Sequence, residues 1–319
     1  NVTLNNTDRG VIIFGIQFQP SELAKLALII VAADFIDRAK KNEIYSDKFF
    51  WVLIGVSVFT CGLICIDNFS TALLLAAIVF FMLILGGFYK YTFLTAFGVI
   101  LLLALLVVTA RAFPVVAEYL PDRLTTWTNR VENFTDGSKF DVGENLENLQ
   151  EVSGKIAIAK GGIFGVFLGN GEARKVMYGH ETDFIYASII EETGLVGGIL
   201  IIVLFVVLLF RAGVIARRCK STFPTIVVLG LSSMIVLQAL INMFVVVGVI
   251  PVTGQPLPFV SHGGTSIIIT CIYLGMIQSV ARYSSQANEN EEFREYKFET
   301  ENVESLNTDS NENEFQILD

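Results

Sequence analysis

The stretch Tyr178–Gly198, YGHETDFIYASIIEETGLVGG, decides how the chain is read. It starts polar, carries Asp183 at the boundary, and turns within a few residues into an apolar run that continues to Phe210. Glu191 and Glu192 sit inside that run, eight and nine residues past Asp183. At about 3.6 residues per turn these offsets are roughly 80° and 180° around a helix, which puts Glu191 nearer the side of Asp183. If the run crosses a bilayer, Asp183 lies at the membrane–water surface and the glutamates are buried below it. Ionisable groups at such depth cost about 2.5 kcal/mol or more each and are as a rule functional or paired. The plainer reading of Asp183 is a helix N-cap, worth about 1 kcal/mol.

Composition sets the class around this stretch. Hydrophobic residues make up 53% of the 319 and charged residues 17%. Several apolar segments are long enough to span a membrane, so the expected fold is an all-α, polytopic membrane helical bundle. The formal net charge of −9 comes from residues 284–319, which hold 11 of the 31 acids and 2 of the 22 Lys/Arg. The body is therefore neutral, and nothing in it points to nucleic acid. Cys61 and Cys65 share a helix face, while Cys219 and Cys271 are scattered; small apolar filler fits all four better than a disulfide framework. With no starting Met and no signal peptide, residue 1 reads as a cut end.

Seven helices are expected: about 23–36, 49–66, 71–88, 93–110, a run ending at Phe210, 225–249 and 265–281. The organisation is then a lead-in (1–20), four transmembrane helices (21–110), a large extracytoplasmic loop (111–183), three transmembrane helices (184–283) and a disordered acidic tail (284–319). The short segments 37–48 and 211–220 each carry four Lys/Arg, and the loops 67–70 and 251–264 carry none. This places the first pair and the C-terminus in the cytoplasm and Asp183 at the outer surface. His180 and His262, the only histidines, read as surface polar residues rather than ligands.

The loop 251–264, PVTGQPLPFVSHGG, has three prolines, three glycines and no acidic or Lys/Arg residue. Irregular backbone of this kind near a membrane packs on protein or lines a wet cavity. The outer segment carries Arg123, Lys155 and Lys160 among its basic residues. These can hold a phosphate or pyrophosphate by charge-assisted hydrogen bonds, or be merely solvated and balanced by nearby acids.

Five motifs occur in one order: FQPSELAKLAL (18–28), NFSTALL (68–74), the Gln150…AIAKGGIFG…LGN run (150–170), ETDFIYASIIEETGLVGG (181–198) and PVTGQPLPFVSHGGTS (251–266). Together they resemble the SEDS family of bacterial cell-wall glycosyltransferases, FtsW and RodA, over roughly residues 9–283. The NFSTA and GGTS variants look more like FtsW, the division member. The resemblance implies ten membrane helices, of which the last seven match and the first three are missing. It implies polymerisation of lipid II into glycan strands at the outer face of the bacterial cytoplasmic membrane. The implied partners are a class B penicillin-binding transpeptidase and other division proteins.

The same resemblance places the family's essential aspartate on Asp183, an outer-loop glutamine on Gln150, its helix-start pair on Glu22 and Lys25, and an arginine on Arg123. Asn68 replaces an aspartate of the family pattern, Arg130 a proline, and Gly171 a serine that is common there. Joining sugars requires a base to take a proton from an acceptor hydroxyl while a lipid pyrophosphate leaves the donor anomeric carbon. Asp183 fits the base, and Arg123, Lys155 and Lys160, or a divalent cation such as magnesium or manganese, would stabilise the pyrophosphate. Glu192 stands between a substrate-binding and a structural role. Glu22, Lys25 and Ser261 are polar residues of structural or functional weight. A lipid-linked precursor transporter and a non-catalytic division scaffold are the rival readings, since a fold alone does not fix function.

Overall fold

The structure, a computed structural model, describes residues 11–13, 16–42, 46–89, 91–95, 98, 146–172 and 182–287. It opens with a hairpin of β1 (Val11–Ile13) and β2 (Ile16–Phe18), paired antiparallel with Val11 opposite Phe18. The body is helical as expected; the lead-in adds this hairpin because its β-branched residues favour extended backbone.

Helix α1 (Pro20–Lys41) starts with Pro20 in its first turn, after an extended Gln19, where a missing N–H costs nothing. Helices α2 (Ser46–Asp67) and α3 (Phe69–Gly86) meet at Asn68, whose side-chain oxygen accepts the Thr71 amide at 3.2 Å. Asparagine caps a helix about as well as aspartate, so Asn68 keeps this start intact. The remaining helices are α4 (Leu146–Gly161), α5 (Ile185–Arg218), α6 (Thr222–Val247) and α7 (Gly264–Ala287). The last runs beyond the expected end, with Ser284 buried and donating to the Ala281 carbonyl.

Helix α6 is the centre of the bundle and packs on α1, α3, α4 and α5. Lipid removes most of the hydrophobic drive between helices, so close backbone approach decides the packing. Small residues supply it. Ala32 and Ala33 of α1 are fully buried, and a Cβ added at Gly230 of α6 would lie 3.0 Å from Met82 Sδ and 3.1 Å from Ile29 Cγ2. Three helices therefore meet at one glycine.

Five described helices are long and apolar enough to cross a membrane: α2, α3, α5, α6 and α7. Helix α1, at 22 residues, has the length but carries Glu22, Lys25, Asp34 and Asp37 within one span, so composition alone does not qualify it. The expected helix 93–110 lies outside the described residues beyond a helical turn at 91–95, as does the tail beyond residue 287. Among the described residues, five of the seven expected spans qualify by length and composition.

The departure with most consequence lies within α5. Gly194 has φ 74° and ψ −173°, a conformation open essentially to glycine alone, and it breaks the 34-residue helix into two limbs. The break is a sharp bend. The Tyr186 hydroxyl donates to the Gly198 carbonyl at 3.2 Å, and a Cβ at Gly198 would touch Ile190 at 3.0 Å. Along an unbroken axis those residues are about 18 and 12 Å apart. The amides freed by the bend find carbonyls in the loop after α4: Leu195 N donates to Gly162 O at 3.0 Å and Val196 N to Ile163 O at 3.4 Å. In return Val166 N donates to Glu191 O at 2.9 Å.

A methyl group at Gly194 would meet Ile163 O at 2.2 Å in addition to the backbone strain. Gly194→Ala is expected to destabilise the protein by roughly 3 kcal/mol or more. The check is the thermal midpoint of the purified full-length protein in detergent; an unchanged midpoint would mean that the bend is not required.

Candidate active site

Asp183 lies in the turn that leads into α5, half-buried, one residue before a fully covered Phe184. The N-cap position belongs to Phe184, one residue after Asp183. What fixes the turn is its main chain. The Asn242 side-chain amide donates to Asp183 O at 2.8 Å, and the Ser261 hydroxyl donates to Thr182 O at 2.5 Å. Asn242 and Ser261 are 1% and 2% exposed. Two buried side chains thus hold consecutive carbonyls of the half-buried turn that carries Asp183.

The loop 251–263 joins these anchors to the core. Ser261 Oγ also accepts the Leu257 amide at 2.7 Å, closing a tight turn around Phe259, which has φ 65°. The Asn242 amide donates to Gln255 O at 2.8 Å as well, and Gln255 Nε2 donates to Thr71 Oγ1 at 2.7 Å. Gln238 Nε2 donates to Pro256 O at 3.1 Å and its Oε1 accepts from Lys25 Nζ at 3.3 Å. Lys25, fully buried, is paired with Glu22 at 2.7 Å. One network therefore runs from Glu22 and Lys25 through Gln238 and the loop to Asn242 and the turn of Asp183.

The structure brings together Asp183, Glu22, Lys25 and Ser261, which stand far apart in the chain. Gln238, Asn242, Gln255 and Thr71 were not expected. A signal for two of them was present: Gln238 and Asn242 sit four apart in an apolar helix, hence on one face, and buried polar residues in such helices are seldom idle.

The other expected residues form a second group. Helix α4 lies beside Asp183 because Gly154 packs on Phe184, where an added Cβ would come within 3.1 Å of the ring. Gln150, Lys155 and Lys160 all lie on α4, five residues apart and so about 140° apart in turn, not on one face. Gln150 is half-buried. Lys155 pairs with Glu151 at 2.7 Å. Its chain lies over Gly248 at the C-terminal end of α6, where a cation meets the negative end of the helix. Lys160 pairs with Glu172, and that hydrogen bond raises its pKa above the ordinary lysine value, so it stays charged at neutral pH. Arg123 lies outside the described residues.

Glu191 is covered by protein and Glu192 is half-buried. Glu191, 2% exposed, accepts the Glu172 amide at 3.1 Å. A Cβ at Gly171 would lie 3.0 Å from Glu191 Oε2 and 3.2 Å from Glu192 Cγ. The missing side chain at 171 is what lets the returning loop close over both carboxylates. The limb beyond the bend has 24 residues, about 36 Å, enough to cross the hydrocarbon core on its own. Among the described residues no three His, Cys, Asp or Glu side chains group as metal ligands.

This is a polytopic helical membrane protein with a carboxylate-bearing turn pinned at one end of its bundle. The chain belongs to the family described as cell cycle protein, FtsW/RodA/SpoVE, which matches residues 2–286. It is 35% identical over 272 residues to "Stage V sporulation protein E" of Bacillus subtilis, covering 83% of this chain and 69% of that protein. It is 32% identical over 283 residues to "Probable peptidoglycan glycosyltransferase FtsW" of the same organism, covering 84% of this chain and 66% of that one. A chain from the structure "Structural coordination of polymerization and crosslinking by a peptidoglycan synthase complex" superimposes with a TM-score of 0.68. That match has 26% identity and covers 89% of this chain and 76% of that one.

The Glu22–Lys25 pair generates a test of the network. Lys25→Met leaves a buried carboxylate without its cation and is expected to cost about 3–5 kcal/mol. Adding Glu22→Gln should restore much of that, because the uncompensated charge is gone. The thermal midpoints of the single and double variants decide; a double variant no more stable than Lys25→Met would break the argument.

Proposed function

We propose that this protein is a peptidoglycan glycosyltransferase of cell division that polymerises lipid II into glycan strands, with Asp183 as the general base. The observation that carries the role of Asp183 is a half-buried carboxylate on a turn whose two carbonyls are held by buried side chains. A base must stay within hydrogen-bond reach of the proton it takes, about 2.6–3.2 Å, and a pinned backbone limits its wander. Relatives named as peptidoglycan glycosyltransferases support the reaction class.

In the proposed step the Asp183 carboxylate takes the proton of the acceptor hydroxyl as that oxygen bonds to the donor anomeric carbon. The bond from that carbon to the lipid pyrophosphate breaks, and the pyrophosphate leaves with the electron pair. Lys155, Lys160 and Arg123, or a divalent cation, would neutralise the charge that develops there. The ion pairs of Lys155 and Lys160 are at the surface, and such pairs are worth only about 0–1 kcal/mol. Exchanging Glu151 or Glu172 for a dianionic pyrophosphate is therefore cheap. Gln150, on the same helix, would contact substrate; Glu192, under the returning loop, would act by holding that loop. The proposed site lies at the outer face of the bacterial cytoplasmic membrane with the C-terminus inside, and a class B penicillin-binding transpeptidase is the proposed partner.

Asp183→Asn keeps size and hydrogen-bonding capacity but removes the base. In proteoliposomes with the partner transpeptidase and labelled lipid II, it is expected to lower glycan synthesis by ~10²–10⁴. Insertion and partner binding should stay near the parent level. Near-normal synthesis would rule out Asp183 as base. Transbilayer movement of lipid II, with no polymer from the parent protein, would favour a transporter instead.

A further inference from the structure

The segment Gly162–Gly169, GIFGVFLG, carries no polar side chain. Ile163, Phe164, Phe167 and Leu168 are 63%, 77%, 75% and 79% exposed, and the last three are the most exposed large apolar side chains among the described residues. The loop is not loose. Its main chain is tied to the bend of α5, Gly165 N donates to Gly161 O at 2.7 Å, and Asn170 closes it through Val166 O and Phe167 O. Phe167 itself is held at φ 69°. A fixed backbone that displays four bulky apolar groups outward needs an apolar medium to face.

The neighbouring surface identifies that medium. Below the bend, Leu195, Val196, Ile199 and Leu200 are each half or more exposed, and this limb belongs to a helix apolar and long enough to span a membrane. Ile163 O accepts the Val196 amide, so the loop abuts the outer end of that face. The polar groups Asn170 and Glu172 follow on the other side of the loop. We infer that residues 163–168 are a bilayer-inserted wedge, seated among lipid chains near the outer headgroup boundary. Through α4 the wedge is coupled to Phe184, against which Gly154 packs, and so to the height of the Asp183 turn above the lipid. This inference rests on the membrane fold and not on the reaction assigned to Asp183.

Depth measurement tests it directly. Spin labels at Phe164→Cys and Phe167→Cys, in full-length protein with its four cysteines replaced and reconstituted in phosphatidylethanolamine–phosphatidylglycerol vesicles, report access to oxygen and to aqueous nickel chelate. Val203→Cys on α5 serves as the lipid reference and Arg217→Cys as the water reference. The wedge predicts oxygen access close to the Val203 label and nickel access at least several-fold below the Arg217 label. Nickel access equal to that of Arg217 would put the loop in water, and shielding from both reagents would mean that protein covers it; either result overturns the inference. Phe164→Trp reads the same depth with every cysteine in place. Its added emission should be quenched by lipids brominated on the acyl chain and not by aqueous iodide, and the reverse pattern counts against the wedge.

Discussion

The side-chain amide of Asn242 carries more of this structure than its size suggests. It donates to Asp183 O and to Gln255 O, each at 2.8 Å, from a position 1% exposed on the central helix. Without it the buried Gln255 carbonyl loses a donor, at about 1–3 kcal/mol, and the part-buried Asp183 carbonyl loses one as well. It also connects two irregular segments that have no regular ladder of their own, the turn into α5 and the loop after α6. Irregular backbone beside a membrane persists only where such partners exist. The shape of the site therefore follows from where α6 places one amide.

A second constraint sets the neighbourhood of the carboxylates. A straight α5 would carry Glu191 and Glu192 on into the apolar face below Asp183. The bend at Gly194 instead turns their limb against α4, and the loop after α4 supplies carbonyls to Leu195 and Val196 and the Glu172 amide to Glu191. Gly161, Gly165 and Gly194 make this possible, since a Cβ at any of them would lie 2.1–2.2 Å from a carbonyl oxygen of the other segment. Packing against α4 and its loop thus covers Glu191 with protein, where an ionisable group in hydrocarbon would cost about 2.5 kcal/mol or more.

Much of this was open to reading before the structure. Apolar runs gave the helical membrane class, because backbone in lipid leaves few other choices. The proline and glycine content of 251–264 marked irregular backbone that packs on protein or lines a wet cavity, with a cavity wall as the expected role; in the structure Gln255, Leu257 and Ser261 are buried. Asp183 stood out at a polar–apolar boundary. The bend did not, because Gly194, Gly197 and Gly198 in an apolar run also read as ordinary membrane-helix packing. Nor did the network: the pairs Lys25–Gln238 and Thr71–Gln255 are separated by 213 and 184 positions, and no local pattern encodes that distance. The hairpin was missed because VIIFGIQF is too short and too uniformly apolar to show a period of two.

The three kinds of carboxylate in this bundle differ in what surrounds them, and that difference assigns their work. Glu22 is 5% exposed and ion-paired with a lysine that no solvent reaches; moving a proton there would unbalance a buried pair. Glu191 is 2% exposed and accepts a backbone amide, so its charge is engaged in closing a loop. Asp183 is half-buried, on a turn whose main chain Asn242 and Ser261 hold. A group that must meet a substrate hydroxyl has to combine a fixed origin with a reachable end. The fold satisfies the first demand through Asn242 and Ser261, and the second by ending the buried zone at Phe184.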